Sequence, residues 1–451
     1  MSSVRYGNYR ESGIDWLGEV PSHWPPTRLR YVAKINPSKT ELSSADRSQE
    51  VTFLPMDAIG EDGSIRLTET RAISEVETGY TYFRDGDVVI AKITPCFENG
   101  KGAVMRRLQG GVGFGTTELI VARPKGKNSP AFLHWLFCSP VFRLRGEASM
   151  YGAGGQKRVP DDFLRDFLIG LPPPSEQATI AAFLDRETAK IDALVEEQRR
   201  LIALLAEKRR AVISHAVTKG LDPTVPMKDS GVEWLREVPA HWGATSLKRS
   251  WTVTDCKHLT AGFIPDGIPL ASIREVQARF VELADAKRTS EEFFAQLIEG
   301  GRKPQPGDLI FSRNATVGEV AEVANWHPDF AMGQDVCMLR MRSPNSSSAY
   351  LYHLLKSDVV REQLDLAMVG STFKRVNVEE IRNLMIPVPP APEQMAIAHF
   401  MEKQAQAFDA LIAEAQAATT LLQERRAALI SAAVTGKIDV RGLVPAVEEA
   451  A

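Results

Sequence analysis

Between Ser175 and Gly220 no glycine or proline interrupts the chain, and apolar residues return at helical spacing. Ile180, Phe183, Leu184, Ile191, Leu194, Val195, Leu201, Ile202, Leu205, Val212 and Ile213 form a stripe separated by charge, which predicts one long amphipathic helix. At 1.5 Å per residue, roughly 40 residues make a rod about 60 Å long, without the unbroken apolar run of a membrane span. A half-apolar rod needs a partner, and residues 392–436 supply one. Glu176-Gln177 returns as Glu393-Gln394, Ile180 as Ile397, Phe183 as Phe400, Glu207 as Glu424 and Ser214 as Ser431, an offset of 217. Each rod follows a proline cluster, Pro172-Pro173-Pro174 and Pro387 to Pro392, which bars a helix upstream and lets one start abruptly. Two such rods in one chain most simply bury each other; homodimerisation through each rod is the alternative.

The duplication extends beyond the rods. Ser12-Gly13-Ile14-Asp15-Trp16-Leu17-Gly18-Glu19-Val20-Pro21-Ser22-His23-Trp24 returns as Ser230-Gly231-Val232-Glu233-Trp234-Leu235-Arg236-Glu237-Val238-Pro239-Ala240-His241-Trp242. For His23 and His241 the expectation is a buried ring satisfied by backbone beside a tryptophan, since no nucleophile lies nearby in sequence. Each lead-in precedes a mixed segment of comparable plan. A turn and buried strand are predicted at Gly86–Lys92 and Gly307–Arg313, and a further strand at Glu118–Ala122 and Asp335–Leu339. One helix follows at Ala131–Leu144 and Ala349–Leu366, and then a glycine-containing basic loop at Gly152–Val159 and Gly370–Val376. Residues 40–82 and 255–302 do not align, as a repeated scaffold with a changed recognition face would require; ordinary surface drift is the alternative. The expected fold is α+β, with two pseudo-repeated α/β globules joined by two long antiparallel coiled-coil helices. The boundaries are 1–167 and 222–384 for the globules, 168–221 and 385–440 for the long helices, and 441–451 for a tail.

At 451 residues the chain exceeds one ordinary core. Its four cysteines, Cys96, Cys138, Cys256 and Cys337, have neither disulfide-framework nor zinc-ligand spacing and suit a reducing cytosol. The amino terminus has no apolar segment of the kind that directs secretion. A net charge of −3 argues against a protein that grips nucleic acid unaided, while leaving room for local basic clefts.

No enzymatic site stands out. The glycines at 111–115 and 152–155 lack the strand, GxGxxG, helix order of a phosphate cradle and read as turns, and no P-loop occurs. Leu171-Pro172-Pro173-Pro174 lacks the polar and aromatic ends of an amino-methyltransferase loop. Pro265-Asp266 with Asp285-Ala286-Lys287 loosely fits a nuclease PD…(D/E)xK pattern, but that pattern is permissive and the other half has no copy. A binding reading fares better. Lys157-Arg158 and Lys374-Arg375 follow flexible glycines, and Lys92 and Arg313 end paired strands ahead of Thr94 and Asn314; all could meet phosphate or a base edge, a solvated basic turn being the alternative. Positions shared by both halves suit phosphate, which carries no sequence information. Positions that differ, Gln156 against Phe373 and Thr94 against Ala315, suit bases.

Two globules, each opening near a [DE]WLxxxPxHW lead-in and closing on a PPxxEQ junction with a rod behind it, resemble the DNA specificity subunit (S subunit) of type I restriction-modification enzymes. The resemblance spans about residues 10–440. It implies that the globules are target recognition domains reading the two halves of a split, asymmetric site in double-stranded DNA, and that the rods form a ruler between them. It also implies a chain with no catalytic residue and no metal of its own. The partners it implies are two modification (methyltransferase) subunits using S-adenosylmethionine, and restriction subunits, translocase and nuclease, using ATP and Mg; no membrane is involved, and the setting is the prokaryotic cytoplasm. On this reading the DNA-binding candidates are Lys92, Thr94, Gln156, Lys157, Arg158, Arg313, Asn314, Thr372, Lys374 and Arg375. The loops at 152–156 and 370–373 differ in composition, so contacts need not correspond across the halves. A near-neutral chain is tolerable if partners supply basic surface around the DNA.

Overall fold

The computed structural model describes residues 5–153, 155–343, 345–368 and 375–443. The chain divides into two compact units, Met1–Gln198 with Ala417–Ala451 and Arg199–Gln416. Each unit holds one globule and a stretch of both long helices.

Those helices run from Pro174 to Lys219, 46 residues, and from Ala391 to Val434, 44 residues. Proline at or beside the first turn costs no intrahelical bond there. Both rods stop at a left-handed glycine, Gly220 at φ 77° and Gly436 at φ 74°, a conformation that residues with a Cβ rarely adopt. In the first unit Ile180, Ala181, Phe183 and Leu184 share a core with Ile430, Ala433 and Val434. Arg426 Nε also donates to Asp192 Oδ1 at 2.8 Å. In the second unit Ile213, Ala216 and Val217 share a core with Ile397, Ala398 and Met401, and Arg209 Nη1 donates to Asp409 Oδ1 at 2.5 Å. In both units rising numbers on one rod meet falling numbers on the other, so the segments run antiparallel and each rod finds its partner within the chain. The stripe is not wholly covered. Leu194 and Leu201, expected in it, are 45% and 43% exposed, because pairing with one neighbour shields only one side of a helix.

Each globule is built on a four-stranded antiparallel sheet of the same order. In the first unit the strands are Ala33–Ile35, Leu119–Pro124, Val88–Ala91 and Gly102–Val104; in the second they are Trp251–Asp255, Val336–Met341, Leu309–Ser312 and Val320–Glu322. The predicted strands at 88–91 and 309–312 are buried throughout, as an unbroken apolar run requires. Each is preceded by a buried aspartate that binds its own turn and an arginine of the neighbouring strand. Asp87 accepts from the Arg84 amide at 2.9 Å and from Arg123 at 2.7 and 2.8 Å; Asp308 accepts from the Gln305 amide at 2.8 Å and from Arg340 at 2.6 Å.

Two expectations need correction. The single helix predicted in each globule is a pair, Pro130–Cys138 with Pro140–Ala148 and Ser348–Leu355 with Asp358–Ala367. Pro140 has no amide hydrogen to continue the first helix, and Ser139 Oγ caps the next by accepting from the Phe142 amide. In the second unit Ser214 of the rod takes up the Asp358 amide at 3.0 Å. The histidines of the lead-ins, moreover, are half-exposed and bind carboxylates. His23 Nε2 lies 2.9 Å from Glu176 and His241 Nε2 2.6 Å from Glu393, with 40% and 43% of each side chain exposed.

The lead-in motif gains its meaning from this geometry. It sits where the start of one rod meets the end of the other: His23 holds Glu176 while Pro21 and Trp24 pack against Gly436, and His241 holds Glu393 while Pro239 and Trp242 pack against Gly220. The following glutamine ties the globule on. Gln177 accepts from the Ser129 amide at 2.8 Å and donates to the Pro172 carbonyl at 2.9 Å; Gln394 accepts from Ser347 at 2.9 Å and donates to Pro389 at 2.9 Å. The duplicated EQ pair is thus a clamp between helix start, proline cluster and globule.

The segments that do not align in sequence share a pairing. Phe53 and its neighbours in Glu50–Leu54 run parallel to Val112–Gly115, and Ile268–Ala271 runs parallel to Ala331–Met332. The first of these small sheets has four strands and the second three.

Candidate nucleic-acid interface

Lys92, Lys157 and Arg158 in one unit, and Arg313 and Arg375 in the other, belong to a backbone frame that occurs once in each unit. In the first, the Lys92 amide donates to the Glu118 carbonyl and the Val159 amide to the Lys92 carbonyl, both at 2.9 Å. In the second, the Arg313 amide donates to the Asp335 carbonyl and the Val376 amide to the Arg313 carbonyl, again at 2.9 Å. The end of the buried strand is therefore held between two loops, one opening a core strand and one carrying the basic pair. A carboxylate locks each frame. Arg158 grips Glu118 through two bonds at 2.9 and 2.8 Å, and Arg375 Nη2 lies 3.5 Å from Asp335 Oδ1. The Arg158 hydrogen bonds hold the Glu118 carboxyl below the usual range, so this lock is closed at neutral pH.

Within this frame the candidates take different places. Lys157 is exposed, and its ammonium has no hydrogen-bond or ion-pair partner among the described residues, as a phosphate contact requires. Gln156 is exposed beside it, and Lys92 is half-buried on a cleft of about 340 Å³ shared with Tyr151, Arg158, Asp161 and Arg165. The Thr94 hydroxyl is already engaged: it donates to the Gly155 carbonyl at 2.7 Å and accepts from the Lys157 amide at 3.0 Å, so it shapes the loop. Arg313 is 3% exposed, with Nη2 2.7 Å from Asp255, and faces the interior. Asn314 pairs with Arg375 in an isolated bridge and accepts from the Ala315 amide, while Arg375 stays exposed. Thr372 and Lys374, with Phe373, lie outside the described residues.

Two features of the site escape sequence reading. Glu118 and Asp335 register there only as strand starts, yet each stands 40 residues before its arginine, and that repeated spacing is the signal that links them. The exposed residue just before each carboxylate, Thr117 in one unit and Gln334 in the other, also goes unread. Asp266, Asp285 and Lys287 form no metal site: among the described residues no group of three His, Cys, Asp or Glu side chains could hold an ion. Lys287 instead lies 4.5 Å over the Phe263 ring. The four cysteines are free thiols.

Residues 293–418 match the family model of the type I restriction modification DNA specificity domain. Along nearly its whole length the chain is similar to a putative type I restriction enzyme MjaX specificity subunit from Methanocaldococcus jannaschii, 20% identical over 94% of this chain and 96% of that one. Over residues 293–418 and, at lower identity, along nearly its whole length, the chain is similar to type I restriction-modification specificity subunits. A higher identity, 41% over 42% of the chain, is shared with the type I restriction enzyme EcoEI specificity subunit of Escherichia coli, of whose length the match spans 32%. The likeness extends to architecture. A chain solved in work on complex assembly and conformational transition of the type I R-M system aligns with a TM-score of 0.69 at 20% identity, covering 92% of this chain and 98% of that one. That likeness shows a shared fold. Among the described residues no helix is long and apolar enough to cross a membrane.

Proposed function

We propose that this chain is the non-catalytic address-reading subunit of a type I restriction-modification complex in the prokaryotic cytoplasm. Residues 1–167 and 222–384 act as target recognition domains, each reading one half of a split, asymmetric site in double-stranded DNA. The long helices at 168–221 and 385–440 set the spacer between halves. Two modification subunits that bind S-adenosylmethionine, and restriction subunits that use ATP and Mg, carry out methylation and cleavage. The observation that carries this reading is the frame occurring once in each unit, with the same lock and different exposed side chains around it. A shared scaffold with differing edges suits two half-sites of unlike sequence.

In this reading Lys157, Arg158 and Arg375 border the phosphate backbone, with Lys92, Gln156 and Asn314 beside them; Thr372 and Lys374, outside the described residues, join them as contacts on the sequence alone. Thr94 and Arg313 support the loops from behind. The test is sequencing of methylated bases in DNA from a host that expresses the chain with the methyltransferase of its own system, against a host with the methyltransferase alone. A split motif that requires the chain supports the proposal; methylation indifferent to the chain refutes it.

A further inference from the structure

A residue that distinguishes two half-sites must differ between the halves, present a hydrogen-bonding edge to solvent and be fixed in place. The shared lock, Glu118 with Arg158 and Asp335 with Arg375, fails the first condition. Thr94 fails the second, its hydroxyl being consumed by the loop behind it. The position immediately before the locking carboxylate meets the first two, and in the second unit the third as well. It is Thr117 in the first unit and Gln334 in the second, and both are exposed.

Gln334 is held on both sides. Behind it, the Gly333 amide donates to the Ala271 carbonyl at 2.7 Å, and a Cβ at Gly333 would stand 2.0 Å from Ser272 Oγ, so the chain is pressed against the adjoining strand. Ahead of it, Asp335 takes a left-handed φ of 64° and leads into the buried Val336. The Gln334 side-chain amide donates to Thr260 Oγ1 at 3.2 Å, and among the described residues its carbonyl and second N–H have no partner. It shares the rim of a cavity of about 510 Å³ with Phe263, Met332 and Lys287, and Phe263 is 58% exposed. A primary amide, an exposed apolar ring and an ammonium therefore line one cavity. In DNA recognition these are the groups that meet adenine N6 and N7, the thymine methyl and a phosphate.

We infer that Gln334 reads an A·T pair in the half-site of the second unit, pairing through its amide with adenine while Phe263 meets the thymine methyl. Thr117 offers one short hydroxyl in place of a planar amide, so the first unit reads its half-site differently. The inference rests on the proposed function.

The experiment uses the complete chain in complex with its modification subunits, once the wild-type motif is known from methylated-base sequencing. Binding is measured on duplexes in which each base pair of both half-sites is replaced in turn. Gln334→Ala is expected to lose roughly 5- to 150-fold of discrimination at one A·T position of one half-site, the range of a two-point base contact. The other half-site and the salt dependence stay unchanged. Gln334→Glu keeps an acceptor but loses the donor to adenine N7, so preference at that position shifts from A toward C. Discrimination within twofold of wild type at every position, or a uniform loss at all positions, overturns the inference while leaving the functional reading standing. A wild-type complex that discriminates at no position overturns both.

Discussion

The EQ clamp makes a sharp prediction because its energetics are local. Gln177 is fully buried, and its amide joins the Ser129 amide, the Asn128 side chain and the Pro172 carbonyl at 2.8, 3.0 and 2.9 Å. Gln177→Ala strands the buried Pro172 carbonyl, at about 1–3 kcal/mol, and removes the bond to the half-buried Ser129 amide, worth about 1 kcal/mol. The sum, about 2–4 kcal/mol, corresponds to roughly 30- to 1000-fold more frequent opening. Amide hydrogen exchange across Pro130–Cys138, with Ser348–Leu355 as internal reference, reads this directly. Protection should fall in the first helix and hold in the second; Gln394→Ala should reverse the pattern. Gln177→Glu adds a sign. Its carboxylate turns a lone pair toward two acceptors, so at neutral pH it should open the helix at least as much as alanine, and acid, by restoring a donor, should narrow the gap. Loss below tenfold in Gln177→Ala, or equal loss in both helices, would refute the clamp.

Two further outcomes follow from the site and the core. Lys157→Ala should weaken binding to all DNA sequences alike and reduce the slope of log affinity against log salt by about 0.9, the share of one phosphate contact; an unchanged slope in binding titrations removes Lys157 from the backbone. His353, buried with Nε2 unpartnered among the described residues, has its pKa lowered to about 3 from an ordinary 6.5, first by burial and then by Arg279, Arg209 and Lys356. The unfolded chain takes up a proton between these values that the folded chain refuses, so His353 costs stability as pH falls below about 6.5 and nothing above it. Urea titrations should show His353→Leu flattening the acid limb by up to about 1.4 kcal/mol per pH unit; equal slopes would contradict the assignment.

What the sequence reveals depends on how local the cause is. The rods and lead-ins are legible because helical periodicity and a long repeat are properties of the chain itself. The break at Pro140 has a local cause, a proline inside a helical run, but the apolar pattern on either side conceals it. The pairing of Thr52 with Gly113 and of Leu270 with Ala331 is not legible, because parallel strands far apart in sequence leave no spacing rule in segments whose side chains have diverged. At the site, Lys157 and Arg158 could be picked by type, but not that Thr94 is spent on the loop or that Arg313 turns inward to Asp255. Those outcomes depend on which loop crosses behind the strand end. The histidine carboxylate pairs lie more than 150 residues apart, 153 and 152, and only the fold brings them together.

The most direct test of two readers on one chain is selection from a fully randomised duplex library by the complete chain with its modification subunits, followed by sequencing of the bound fraction. The account predicts two fixed blocks of unlike sequence separated by a spacer of constant length and no sequence preference. A single continuous block, or no enrichment above the modification subunits alone, would contradict it.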